Sequence, residues 1–330
     1  MEPIGGYFSL ELSQREEYHK DALRLNTGRN CLEYVLISRG YKKVFIPCYV
    51  CDVVLEPFRR LGVQYEFFHV DENLEIKDSI SLNPDEALLY VNYFGLKQRY
   101  VESLAKVFGN RLIVDNTQAF FAKPVSGIDS FYSCRKFFGV PDGAYLYTDK
   151  SLDEEFETDE SYNRMSHLLK RIDLGAEFGY DDFRMNDDRL SGQPIRQMSR
   201  LTHRIMRSID YQSAAQRRRE NYEYLHQHLA NTNKLHLTLG RTDVPMVYPY
   251  FSADSVLRDK LLENKIFVAR YWPNVLQWTS SDELEYCFTL HIQHLPVDQR
   301  YDLKDMDMIL DFFDRMKSQE LSHDSYNCES

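Results

Sequence analysis

The chain has 330 residues, of which 43% are hydrophobic and 28% charged, enough apolar material for one large core and a smaller second one. A formal net charge of -11 and a pI near 5.4 exclude a nucleic-acid backbone or an anionic membrane surface as the main partner, because both attract net positive charge. No run of 18 apolar residues is present, and Met1 to Gly6 lacks a basic segment followed by an apolar one. Neither a membrane span nor a signal peptide is therefore expected, and the cytoplasm is the expected compartment.

Residues 1 to 22 are polar behind a Gly5-Gly6 turn, with Tyr7 to Leu12 as a short strand or packing arm. Thr27 is a good N-cap; Leu32, Val35 and Leu36 follow at helical spacing up to Gly40, which suits a helix stop. The start of that helix at Thr27-Gly28 offers free backbone N–H groups to an anion such as a phosphate, and equally reads as a capped helix without a ligand. Lys43 to Ile46 reads as a strand, Asp52 to Leu61 as a helix, and Gln64 to Val70 and Ala87 to Asn92 as further strands. Strands alternating with helical stretches imply a mostly parallel sheet with right-handed crossovers, whose ligands lie beyond the carboxyl ends of the strands.

That edge collects the residues able to carry chemistry. Leu112-Ile113-Val114 fills a buried parallel strand and ends in Asp115, with Gln118 three residues on. Ser130 to Ser133 forms the next strand and leads to Cys134-Arg135-Lys136; Gly139, Pro141 and Gly143 break the chain before Ala144 to Thr148 returns as a strand. Taken singly, a Lys or an Asp is ordinarily a surface residue. Brought together, Lys136 and Asp115 suit an aldehyde-bearing pyridine such as pyridoxal phosphate: the amine forms a Schiff base, and the carboxylate keeps the ring nitrogen protonated. Gln118 is placed for the ring's phenolic oxygen, and Tyr93 or Phe94 either stacks on a flat ring or packs in the core.

Of the six cysteines, Cys48 and Cys51 have the spacing of half a metal site, but no second such pair completes it, so a structural role is expected and no metal. Residues 151 to 200 are charge-rich and read as an irregular active-site or dimer-contact excursion, followed by one long helix from about Pro194 to Ala230. Beyond it, strand-like runs (Leu235 to Leu239, Met246 to Phe251, Ile266 to Arg270, Cys287 to His291) alternate with helix-like ones (Ala253 to Asn264, Leu303 to Met316). The expected organisation is a large α/β domain over 1–230, a small α+β domain over 231–317 and a disordered tail over 318–330. Arg270 and His294 are candidates to meet a carboxylate or diphosphate from the small domain.

LNTGRNCLEYVL, IPCYVCDVVLEPF, VNYFG, VDNTQAFF and SCRKFFGVPDGA, with YWPNV and LPVDQRY further on, together resemble the DegT/DnrJ/EryC1/StrS sugar aminotransferase family. The resemblance covers most of the chain. It implies the pyridoxal-phosphate-dependent fold type I, with a seven-stranded type of sheet in the large domain. It also implies a homodimer, and transfer of an amino group from glutamate to a nucleotide-linked keto sugar, in cell-surface polysaccharide synthesis. By position, Asp115 then matches the pyridine-nitrogen partner, Gln118 the neighbour of the ring hydroxyl, and Lys136 the Schiff-base lysine, since Gly143-Ala144 stand seven and eight residues on. Thr27, Gly28 and Arg29 fall in the phosphate loop, Tyr93 or Phe94 at the stacking site, and Ser130 or Ser133 near the phosphate. Arg29 and the serine spacing depart from the family pattern. A non-transaminating sugar enzyme such as a dehydratase, and a relative that only binds, are the alternatives.

Overall fold

The computed structural model describes residues 4–326. Its centre is a seven-stranded sheet in the order β1 (Leu23–Leu25), β7 (Ala144–Tyr147), β6 (Asp129–Ser133), β5 (Leu112–Asp115), β4 (Glu86–Val91), β2 (Lys43–Pro47) and β3 (Gln64–Phe68), numbered along the chain. From β3 to β6 neighbouring strands run parallel, while β7 and β1 pair antiparallel. The expected mostly parallel sheet is therefore present. Strands β4 and β5 are buried at every position, which is why they read as unbroken apolar runs rather than as alternating ones.

Local signals place the helices that cross between strands. Helix α1 (Gly28–Arg39) starts behind Thr27, whose hydroxyl accepts the Asn30 N–H, and stops at Gly40, where φ of 67° lets the backbone N–H turn back to the Leu36 carbonyl. Helices α2 (Leu55–Leu61) and α3 (Gln98–Phe108) carry the chain to β3 and β5. The single helix expected over 194–230 is two helices, α6 (Arg200–Met206) and α7 (Tyr211–Leu229). Asp210 separates them by capping α7, its side chain accepting the Ser213 N–H at 3.1 Å. Within the segment read as irregular lie α4 (Ser166–Asp173) and α5 (Tyr180–Arg189).

The C-terminal part is built on a two-stranded antiparallel sheet of β8 (Val247–Phe251) and β9 (Ile292–Pro296). Around it stand α8 (Leu257–Glu263), α9 (Val275–Trp278), α10 (Leu284–His291) and α11 (Leu303–Tyr326). Cys287 to His291, read as a strand, is the second half of α10, and the strand begins one residue later. Neither 235–239 nor 266–270 is a strand. The segment read as a disordered tail continues α11 as far as Tyr326, and 327–330 lie outside the described residues.

The N-terminal segment is held to the sheet by Glu17, which accepts the Tyr145 hydroxyl at 2.5 Å and the Arg24 guanidinium at 2.8 and 2.5 Å, with His203 Nε2 at 3.4 Å. Burial by itself would raise the Glu17 pKa, but the hydrogen bonds from His203, Arg24 and Tyr145 outweigh it and bring it down from 4.5 to about 2. A depressed carboxyl pKa adds stability above its ordinary value and loses it as pH falls through the folded one. Glu17→Gln is accordingly expected to cost about 2 kcal/mol in urea titrations at pH 7. The gap from the parent chain should close as pH falls from 4.5 towards 2, and a gap of constant size would show that the charge is not its source.

Candidate active site

Two strand ends are stitched together where the sheet opens. The Asp115 carbonyl accepts the Asn92 N–H at 2.9 Å, and the Asn92 side chain donates to Asn116 Oδ1 at 2.9 Å and Gln98 Oε1 at 3.1 Å. At the end of β5 the Asp115 carboxyl is buried, and its Oδ1 accepts the Thr117 N–H at 2.8 Å in an Asx turn. Burial pushes the Asp115 pKa above its ordinary value, while the Lys136 ammonium and the Thr117 hydrogen bonds pull against that rise.

Lys136 comes from the loop after β6. Phe137 and Phe138 N–H both bond the Cys134 carbonyl, and Cys134 N–H bonds the Gly143 carbonyl at 3.0 Å, so the lysine sits on a closed turn. Gly143 has φ of +105°, and a Cβ there would lie 2.8 Å from Thr202 Cγ2; only glycine fits. Beside it, Asp142 accepts the Ser199 N–H at 2.9 Å, the Ser199 hydroxyl at 2.7 Å and the Thr202 hydroxyl, fastening the loop to α6. The Lys136 side chain is exposed and donates from Nζ to Thr117 Oγ1 at 3.0 Å.

Thr117 is thus the meeting point, and sequence reasoning missed it. Its N–H holds Asp115, its hydroxyl holds Lys136, and its methyl lies 3.1 Å from where a Cβ on Gly28 would stand. The Asp115-Asn116-Thr117 spacing of an Asx turn was the available signal. Cys51, also missed, is half-buried; burial raises its thiol pKa, and the Lys136 charge is among the effects that oppose the rise.

The other expected residues are placed as follows. Gly28 opens α1 against Thr117 and Phe131, and the N–H groups of Gly28 and Arg29 have no partner within the described residues. The Arg29 side chain turns to Glu56 at 2.8 Å and Ser191 at 3.0 Å. Gln118 is buried and accepts the Phe94 N–H at 3.0 Å, which commits its Oε1 and leaves Nε2 to donate elsewhere. Tyr93 and Phe94 are both fully buried: the Tyr93 hydroxyl donates to the Tyr49 carbonyl at 2.9 Å with the two rings stacked, and the Phe94 ring meets that of His294.

Ser130 and Ser133 lie on opposite faces of β6. Phe131 faces Gly28, so alternation puts Ser133 on the α1 side and Ser130 on the other, with Tyr132 beside His19. Of the two serines only Ser133 shares a face with the α1 start. Arg270 is exposed. His294, by contrast, is buried with Nδ1 on the Ala269 carbonyl at 2.9 Å, and burial pushes its pKa down to about 4, so at neutral pH it offers an anion no charge. Cys48 is buried, and among the described residues no group of three or more His, Cys, Asp or Glu could hold a metal ion. Among them, too, no helix is long and apolar enough to cross a membrane.

No family model and no curated protein sequence matches the chain. Solved structures do. A putative sugar aminotransferase from Streptococcus pneumoniae in its PMP form superposes with a TM-score of 0.62 at 13% identity, covering 95% of this chain and 94% of that one. Sugar aminotransferase CalS13 from Micromonospora echinospora gives 0.59 at 14% identity over 89% and 87%. A DegT/DnrJ/EryC1/StrS aminotransferase from Brucella abortus gives 0.60 at 15% identity over 91% and 89%. The chain has the sugar aminotransferase fold. A GDP-4-keto-6-deoxymannose-3-dehydratase with bound GDP-perosamine shares it, at a TM-score of 0.59 and 14% identity. Within the sugar aminotransferase fold, Lys136 and Asp115 converge at the open ends of the parallel strands.

Because the Lys136 charge pulls the Asp115 pKa down, Lys136→Met is expected to raise that pKa further. The carboxylate infrared band of the protein, followed against pH, reads this; an unmoved titration would mean that the two groups do not share a field.

Proposed function

We propose that the protein is a pyridoxal-phosphate-dependent aminotransferase that moves an amino group from glutamate to a nucleotide-linked keto sugar. The observation that carries this reading is the exposed Lys136 amine and the buried Asp115 carboxylate meeting the same Thr117. The residues present fit the cofactor. A Cβ on Gly28 would crowd Thr117, so the α1 start is cut back where an anion would approach, and two of its N–H groups are free.

When bound, pyridoxal phosphate supplies an electrophilic carbonyl carbon and a pyridinium that accepts electrons. Asp115 would hold the ring nitrogen, an ion pair that offsets the cost of its burial. Gln118 Nε2 would donate to the ring oxygen, and the Gly28 and Arg29 N–H groups with Ser133 would hold the phosphate. Lys136 Nζ would hold the cofactor at its carbonyl carbon and, as a free amine, would serve as the base that takes up and returns the donor's α-proton. Since Lys136 rests on a neutral hydroxyl, little has to be broken to free it.

The keto-sugar acceptor, and with it a place in cell-surface polysaccharide synthesis, rests on the family resemblance and on the shared fold of sugar aminotransferases and a sugar dehydratase. A large domain over 1–230 and a small one over 231–317 belong to the same reading. A homodimer is supported by the apolar side chains that α4, α5 and the turn between them leave exposed, among them Ile172 at 81% and Phe178 at 64%.

Incubation with pyridoxal phosphate and borohydride should fix the cofactor on Lys136, as read by peptide mapping, and Lys136→Ala should abolish the label. Glutamate added before the borohydride should remove the label and yield 2-oxoglutarate, and Asp115→Asn should slow that step by roughly a hundredfold or more. No label on Lys136 would overturn the assignment; a label that glutamate leaves untouched would retain the cofactor and overturn the donor.

A further inference from the structure

Arg218, on α7, is 1% exposed, and none of its hydrogen-bond partners is charged. Nε donates to Gln299 Oε1 at 2.8 Å, Nη1 to the Pro245 and Met246 carbonyls at 3.3 and 3.1 Å, and Nη2 to the Phe137 carbonyl at 3.4 Å. The guanidinium carbon lies 4.5 Å from the centre of the Phe137 ring. Asp298 is the acid whose field reaches it, but that carboxylate is taken by Arg300 at 2.7 and 2.8 Å. Burial drives the Arg218 pKa down to about 10, so it stays charged at neutral pH. A buried cation met only by neutral oxygens costs more than an apolar side chain of the same size, so stability does not account for its presence here.

Its position does. The Phe137 carbonyl, one residue from Lys136, takes two donors, Arg218 Nη2 and Gln299 Nε2, the latter at 2.8 Å. From there the hydrogen bonds run on without a gap. Arg218 holds the Met246 carbonyl; the Met246 N–H bonds the Phe94 carbonyl at 2.8 Å; the Phe94 N–H bonds Gln118 Oε1 at 3.0 Å. One circuit therefore links the turn carrying Lys136 to Gln118, and it passes through Met246 and Gln299 beside β8 and β9.

We propose that Arg218 is a positioning residue, which fixes the backbone at Phe137 and with it the place of the Lys136 amine relative to Gln118 and Asp115. It acts from the joint with the small domain, so a shift of that domain is felt at the lysine. The inference rests on the reading of Lys136 as the amine that attaches the cofactor.

The test uses the full chain carrying Arg218→Lys or Gln299→Leu. A lysine ammonium cannot reach the four acceptors that the planar guanidinium serves. Gln299→Leu keeps the cation and removes one donor to the Phe137 carbonyl, so it stays informative should the first variant fail to fold. In the cofactor-free protein, hydrogen exchange at the Phe137, Phe138 and Val140 amides, all bonded inside the turn, is expected to quicken roughly tenfold while β4 and β5 keep their parent rates. With pyridoxal phosphate added, the rate of borohydride-trapped attachment at Lys136 is expected to fall by a similar factor. Unchanged exchange in the turn, or an equal rise throughout the sheet, overturns the positioning role. So does faster exchange with an unchanged attachment rate, since the turn would then move without moving the amine. If the parent chain itself attaches no cofactor, the proposed function fails, and the exchange measurement alone decides for or against Arg218.

Discussion

A carboxylate buried at the end of a parallel strand is an expensive thing for a protein to keep, and Asp115 is one. It is tolerable because an Asx-turn N–H and a nearby ammonium offset part of its desolvation. That offset works only if Lys136, twenty-one residues later in the chain, is held within reach. Much of the surrounding structure follows from this requirement. Gly143 lets the loop pass under Thr202, Asp142 ties it to α6 with three donors, and Cys134 closes the turn.

The same requirement explains an asymmetry in how polar groups are buried. Asp129 is fully buried but meets Arg39 through two hydrogen bonds of 2.8 Å, an ion pair that belongs to the support of β6. Asp142 is fully buried and meets hydroxyls and an amide. Asp115 draws its hydrogen bonds from one residue, Thr117, and alone of these three has its charge balanced by Lys136 without a direct ion pair. Asp129 and Asp142 are each held by several donors, whereas Asp115 depends on Thr117 and on the field of Lys136.

What could be read from the sequence was whatever local chemistry decides. The β4 and β5 runs are apolar because both faces are covered, Thr27 and Gly40 bracket α1 because capping and left-handed backbone have residue preferences, and Asp115 and Lys136 stood out by their place after strands. The misreadings have local causes too. Cys287 to His291 is a short apolar run, for which a period of 2.0 and one of 3.6 cannot be told apart. The single long helix expected from about Pro194 to Ala230 concealed Asp210, whose capping breaks it. Arg218 and Gln299 were illegible because they meet each other 81 residues apart and Gln299 meets Phe137 162 residues away, and the Thr117 contact with Lys136 spans 19 although its turn with Asp115 is local. Arg29 looked like an intruder in an anion loop until Glu56, on α2, was seen to hold its side chain aside.

The partner chosen by Lys136 bears on what the site can do. An ammonium bonded directly to the buried Asp115 would form a closed ion pair, and separating such a pair costs several kcal/mol because each charge is left unpaired in a poor solvent. Resting on Thr117 Oγ1 instead, Lys136 gives up a hydrogen bond worth about 1 kcal/mol when it moves, and its exposed side chain is rehydrated as it does so. Asp115 loses only a distant field, and its turn hydrogen bond stays in place. Thr117 therefore acts as a spacer as much as a tether. It keeps Lys136 close enough for Asp115 to feel its charge, without joining the two in a direct ion pair.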